Sequence, residues 1–290
     1  MKLLSYTHQG RDSWGALDAS GQGVVDLGRR LPAIAGVRGL LEGGAPALAQ
    51  ARQASAGAAP DLALADVQLD LPVRQPRVFC IGVNYAHRNA EYKDGSDLPR
   101  YPSIFMRVPD SFSAHGAPLL QPAESQQLDY EGEIGIVIGQ RGRRIPRDSA
   151  LAHIGGLTCI NEGTVRDWVH HAKFNVTQGK NWFRSGAIGP WLVTPDEYPQ
   201  GLGHLRVQTR VNGETRQDDT TEHLMFDFAY LVHYLSTFTP LLPGDVIATG
   251  TPIGAGIRFD PPRFLQPGDV VEVEVTGVGV LRNVVEAEAR

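Results

Sequence analysis

LDYEGEIGIVIG (Leu128–Gly139) reads as a strand that starts polar and ends wholly apolar. Side chains two apart on a strand share a face, so Asp129, Glu131 and Glu133 are expected to point the same way. An apolar run such as IGIVI is the pattern of a wholly buried strand. Two glutamates running straight into it are costly unless positive charge sits between them. A hard divalent cation meets that need, because carboxylate oxygens suit Mg²⁺, Mn²⁺ or Ca²⁺. Periodicity alone leaves a solvated acidic strand start open; the adjoining buried run favours the cation.

A third carboxylate is needed, and Glu162 in CINEGTVRDW is the candidate, since it follows the strand-like Leu157–Ile160. Taken alone, it also fits an acid at a helix N-terminus. Asp167, beside Arg166, reads as a structural ion pair. In NYAHRNAE, His87 and Glu91 are four apart and share a helical face, the spacing of a hydrogen-bonded acid–base pair. Lys180, in TQGKNW, could bind an anionic substrate or a developing oxyanion; a solvated lysine is the plain alternative.

Outward from these segments, the chain has 290 residues, enough for one large domain or a large one with a small partner. Its 33 glycines and 20 prolines favour many short strands over a few long helices. KLLSYT, SWGALD and VVDL form an expected N-terminal meander, with SGQG (Ser20–Gly23) as a tight turn. The alanine-rich stretch from Gly43 to Pro60 suits a loosely packed helix or a linker. A boundary is therefore placed near residues 60–75, between a small N-terminal β domain with its linker (1–70) and a catalytic domain (71–290). Beyond it, Val78–Ile81 and VIATG (Val246–Gly250) read as buried strands. Ser149–Ile154 reads as a short helix stopped by Gly155–Gly156. Leu224, Phe228, Leu231, Val232 and Leu235 make one helical stripe over 224–238. VVEVEV alternates as a half-wet strand, GVGV turns the chain, and LRNVV closes it. The class expected is α+β and β-rich, without the β–α alternation of a doubly wound sheet.

Composition excludes several functions. A formal net charge of −5 with no long basic run argues against nucleic acid. The densest basic cluster, Arg141–Arg147, reads as a solvated turn. No apolar stretch is long enough to span a membrane and the N-terminus lacks a signal-like apolar segment, so a cytoplasmic protein is expected. Cys80 and Cys159 match no zinc or redox spacing and read as small buried hydrophobes. There is no G-x-S-x-G elbow, H-E-x-x-H helix or P-loop, and GTPIGAG (Gly250–Gly256) does not form G-x-G-x-x-G.

CIGVNYAHRNAE, SIFMR, DYEGEIGIVIG, GGLTCINEGTVRD, QGKNWFRSGAIGPWLV, VNGETRQ and IATGTPIGAG together resemble the fumarylacetoacetate hydrolase family, from about Arg77 to the C-terminus. The resemblance implies a β-rich roll or sandwich-like barrel, a small leading domain and a homodimer. It also implies one Mg²⁺ or Mn²⁺ on three carboxylates. By position these are Glu131, Glu133 and, where relatives carry aspartate, Glu162. The substrate-binding lysine falls on Lys180, the threonine of the GT motif on Thr251, and a further position near the site on Gln217. One departure concerns the family pattern N-Y-x-x-H-x-x-E: here the histidine comes one residue early, as His87, and Arg88 fills its slot. Arg107 in SIFMR replaces a common lysine. The implied reaction is metal-dependent hydrolysis of a carbon–carbon bond in a β-diketo acid such as an acylpyruvate, with water activated by Glu91 and His87. The alternatives are an isomerase or decarboxylase of a 5-carboxymethyl-2-hydroxymuconate-type acid in aromatic catabolism, and a silent metal-dependent binding protein.

Overall fold

The computed structural model describes residues 1–91 and 97–289. Among them, a mixed twelve-stranded sheet carries the architecture, with a five-stranded sheet packed nearby. The expected β-rich α+β class is what the chain adopts. The strand Gly132–Ile138 lies in the middle of the large sheet, antiparallel to both Ile154–Asn161 and Val246–Ala248. Its alternation feeds two cores. Ile134, Ile136 and Ile138 join a cluster with the helix Phe228–Phe238 and the five-stranded sheet. Val137 joins another, with Leu40, Leu41, Ala47 and Ala51 from the N-terminal helices. Burial on both faces explains why this strand reads as continuous apolar sequence.

The N-terminal meander forms as expected, as Lys2–His8, Arg11–Leu17 and Gly23–Asp26. Its first strand pairs with Gly186–Val193, so one sheet runs from the meander to the central strand. The alanine-rich stretch is a helix, Gly44–Ser55, burying only Ala47 and Ala51. The later helix begins at Phe228, where the Asp227 side chain accepts from the Tyr230 amide at 2.7 Å. Leu224 therefore lies outside it, while Phe228, Leu231, Val232 and Leu235 form the buried stripe. Both cysteines are buried, and the strands Val78–Ile81, Val246–Ala248 and Val270–Val275 match expectation.

Two readings are corrected. Gly155 and Gly156 do not stop a helix: a 3₁₀ segment, Arg147–His153, leads into a strand that runs through both. Glycine is needed there because a Cβ on Gly155 would sit 2.7 Å from the Cα of Gly139, where the backbones touch. Leu128–Gly139 is also not one strand. Leu128–Asp129 pairs with Thr164–Val165, and the central strand starts at Gly132. Between them, Asp129 Oδ1 accepts from the amide of Tyr130, a local bond that diverts the chain. The Glu131 amide then donates to the Asn161 side chain rather than to a backbone carbonyl.

Candidate active site

Register explains how the acids meet. Glu133 lies opposite Ile160 in the antiparallel ladder. Two residues further along each strand, on the same face, the next opposed pair is Glu131 and Glu162. The Glu162 amide donates to the Glu131 carbonyl at 2.7 Å, extending the pairing just past the ladder. Glu131, Glu133 and Glu162 are all buried, and each offers a carboxylate oxygen within 4.8 Å of the others. Asp129 does not join them. Its carboxylate accepts from Arg166 Nε at 2.7 Å and from the amides of Gly256 and Ile257.

Buried acids this close need compensation, and the chain supplies part of it. Lys180, at the end of the short helix Val176–Lys180, donates to Glu131 Oε2 and to the Glu162 carbonyl. Arg166 and Arg88 donate to Glu131 Oε1 at 2.7 and 3.1 Å. Burial disfavours the charged Glu131 carboxyl, but Lys180, Arg166 and Arg88 outweigh it and hold the group well below the usual carboxylate range. Glu133 goes the opposite way: burial, then the charges of Glu162 and Glu131, push it well up. Burial also works against the Lys180 ammonium, yet Glu131 and Glu162 keep its pKa above the ordinary lysine value.

The three carboxylates fit a hard divalent cation. They are oxygen donors only, their negative charges face one another, and one acceptor is left over. Glu162 Oε1 is buried and accepts no hydrogen bond, since Lys180 Nζ, 3.1 Å away, lies outside hydrogen-bond alignment.

A cavity of about 250 Å³ opens onto this cluster. Glu131, Glu162, Lys180, Arg88, Arg166 and Arg258 supply its charged wall, and Val83, Ile104, Phe105, Val176 and Ile257 much of its apolar one. His87 is not brought there. It is exposed, with its ring 5.4 Å from that of His223. The expected His87–Glu91 pair is replaced by Arg88–Glu91, with Nη1 2.6 Å from Oε2, while Glu91 Oε1 accepts from the Gly254 amide. The residue one place later, Arg88, lines the cavity instead.

Gln217 and Thr251 are buried behind the cluster rather than among the cavity-lining residues. Gln217 Nε2 donates to Thr251 Oγ1 at 2.8 Å, Gln217 Oε1 accepts from the Gly132 amide, and Thr251 Oγ1 donates to the Gly132 carbonyl. Together they clamp the start of the central strand. Asp167 accepts from Ser125 Oγ instead of pairing with Arg166. Arg107 is wholly buried and donates to Gly163, Ser111 and Ser185, with Glu162 Oε1 3.9 Å away. Arg88, Arg166 and Arg107 are the site cations that sequence reasoning did not assign. The available signals were Arg88 standing in a slot where relatives carry histidine and Arg107 standing where many carry lysine.

The model of the fumarylacetoacetate (FAA) hydrolase C-terminal domain matches residues 77–286. Oxaloacetate tautomerase YisK of Bacillus subtilis is 38% identical over 224 residues, covering 76% of this chain and 73% of that protein. The mitochondrial oxaloacetate tautomerase FAHD2A of Bos taurus is 34% identical over 293 residues, covering 98% and 91%. Among solved structures, the fumarylacetoacetate hydrolase of Exiguobacterium antarcticum superposes with a TM-score of 0.80 at 33% identity, covering 99% of this chain and 100% of that one. The chain belongs to the fumarylacetoacetate hydrolase family and is an enzyme of that family, acting on small acids. No helix among the described residues is long and apolar enough to cross a membrane. A mitochondrial relative shows that family membership does not fix the compartment.

Proposed function

We propose that this enzyme catalyses keto–enol isomerisation of a small 2-oxo acid of the oxaloacetate type, with Mg²⁺ or Mn²⁺ held by Glu131, Glu133 and Glu162. The observation that carries this reading is the Arg88–Glu91 pair in place of a histidine–glutamate dyad. Hydrolysis of a carbon–carbon bond needs a base to activate water. A guanidinium cannot be that base, and Glu91 already accepts from Arg88 and Gly254. Isomerisation consumes no water and only moves a proton between carbon and oxygen. The two tautomerase relatives support the same choice.

When bound, the cation would supply Lewis acidity that acidifies the C–H beside the carbonyl and spreads the charge of the enolate. The rest falls to side chains of the chain. The Lys180 ammonium, kept protonated by Glu131 and Glu162, faces the cavity. In the enol-to-keto direction the enol oxygen loses its proton to solvent and Lys180 Nζ gives a proton to the adjacent carbon. Solvent then restores the ammonium, so atoms and charge balance. The apolar wall of Ile104, Phe105 and Val176 limits competing water around the carbon.

The test presents the purified protein, with Mn²⁺ and then with EDTA, with enol oxaloacetate and with an acylpyruvate. The expected result is cation-dependent loss of enol absorbance, with pyruvate release from the acylpyruvate at least ~100-fold slower, the scale of a missing general base. Rapid acylpyruvate cleavage would return the hydrolytic reading. Inertness toward both would favour a silent binding protein.

A further inference from the structure

Phe174 contributes to no core of the fold. It is 73% exposed, the most exposed large hydrophobic side chain among the described residues, and it joins none of the three apolar clusters. It nevertheless lines the cavity. The chain holds it there. Lys173, just before it, has a left-handed backbone (φ 61°), which is costly for a residue with a Cβ. The Asn175 amide, just after it, donates to the Val169 carbonyl at 2.7 Å and closes the loop. The Asn175 side chain then caps the short helix that carries Lys180. His171, in the same loop, stacks on Trp168 at 4.0 Å and is not among the cavity-lining residues. An exposed ring held at the rim of a cavity gains most when a ligand covers it.

Phe174 continues an apolar wall that begins at the proposed proton donor. Lys180 Nζ lies over the Phe105 ring, 5.5 Å from its centre. Ile104, Phe105, Val176 and Phe174 all line the same cavity. In the isomerisation proposed, C3 of the 2-oxo acid takes its proton from Lys180 Nζ, so the group that C3 carries meets this wall. Oxaloacetate carries a carboxylate there, which suits the charged wall and gives the apolar one nothing to bury. At about 250 Å³ the cavity is below the usual ~300 Å³ lower bound for drug-sized ligands, a size suited to a three-carbon head with one ring.

We infer that the enzyme also isomerises 2-oxo acids whose C3 bears an aryl group, with Phe105 and Phe174 forming the subsite for the ring. Offset or edge-on ring contacts there add to the burial of apolar surface. The inference rests on the isomerisation reading for the reaction and adds a second class of substrate to it. The bonds that change are the same. The enol O–H bond breaks and its proton goes to solvent, a C3–H bond forms with the proton of Lys180 Nζ, and solvent restores the ammonium.

Two non-enolisable probes, oxamate and N-phenyloxamate, share an oxalyl amide head, and only the second carries a ring. Their dissociation constants are measured calorimetrically on Mn²⁺-loaded protein, with Mn²⁺ binding measured on every variant. Native protein is expected to bind N-phenyloxamate about tenfold or more tighter, the scale of burying an aromatic side chain. Phe174→Ala should cut that margin by about threefold or more through weaker N-phenyloxamate binding, and Phe174→Leu should keep part of it. In parallel, enol phenylpyruvate and enol oxaloacetate are followed by loss of enol absorbance, and cation-dependent turnover of both is expected. Equal binding of the two probes by native protein, or a margin unchanged in Phe174→Ala, would overturn the inference. Turnover of oxaloacetate without phenylpyruvate would overturn it too, while leaving the isomerase reading intact. Turnover of phenylpyruvate alone would uphold the inference and remove oxaloacetate from the reading. Turnover of neither would sink both.

Discussion

The Lys180 ammonium lies 3.1 Å from Oε1 of Glu162 and also 3.1 Å from the carbonyl oxygen of the same residue, so one lysine holds both the side chain and the backbone of Glu162. Because Lys180 also donates to Glu131, it ties together the two acids that face each other at the end of the ladder. A single side chain thus bridges two of the three proposed cation ligands and is also the proposed proton donor lining the cavity.

Glu162→Gln removes one charged ligand while nearly keeping its shape. Mn²⁺ affinity, read by calorimetry, should fall by more than the roughly 10–100-fold typical of changes outside the ligand shell. Unchanged affinity would remove Glu162 from the site.

Lys180→Met separates proton transfer from cation binding. Enol loss should slow by about 10²–10⁴-fold, while Mn²⁺ binds at least as tightly, because a positive charge has left the cluster. Near-native turnover would show that another group carries the proton.

Asp129→Ala tests a structural role. Asp129 is fully buried and accepts from Arg166 Nε and from the amides of Gly256 and Ile257. Removing it takes away one of the two carboxylates that Arg166 bonds and leaves the buried Gly256 amide and the Ile257 amide without that acceptor, so urea unfolding should report a loss of about 3–5 kcal/mol. A loss under ~1 kcal/mol would mean that Arg166 finds a replacement partner.

His87→Ala should change little. The ring is exposed against His223, away from the cavity-lining residues. Stability should stay within about 0.5 kcal/mol, and enol turnover should be near native in the same preparation. A loss of turnover comparable to that of Lys180→Met would restore His87 to the reaction.

Much of this was legible because it depends on local periodicity. The run from Ile134 to Ile138 announced a wholly buried strand, and the parity of Glu131 and Glu133 placed them together. Glu162 needed the register between two strands, which a linear reading can only suggest. One misreading took neighbours in sequence as partners in space. Arg166 and Asp167 are adjacent, yet each bonds a residue some forty positions away, Asp129 and Ser125. Gln217 and Thr251 were placed near the site by resemblance alone; that their polar atoms bond Gly132, each other and the Pro252 carbonyl is something only the tertiary structure reveals. Asp129 shared the parity of the two glutamates, but a bond from its side chain to the following amide broke the strand between them.

The most direct measurement follows deuterium entering C3 of oxaloacetate by proton NMR, in the presence of Mn²⁺-loaded protein and of the same protein stripped with EDTA. Cation-dependent exchange well above the protein-free rate, without matching pyruvate formation, is the expected result. Exchange no faster than in buffer with Mn²⁺ alone would contradict an isomerase built on Glu131, Glu133 and Glu162.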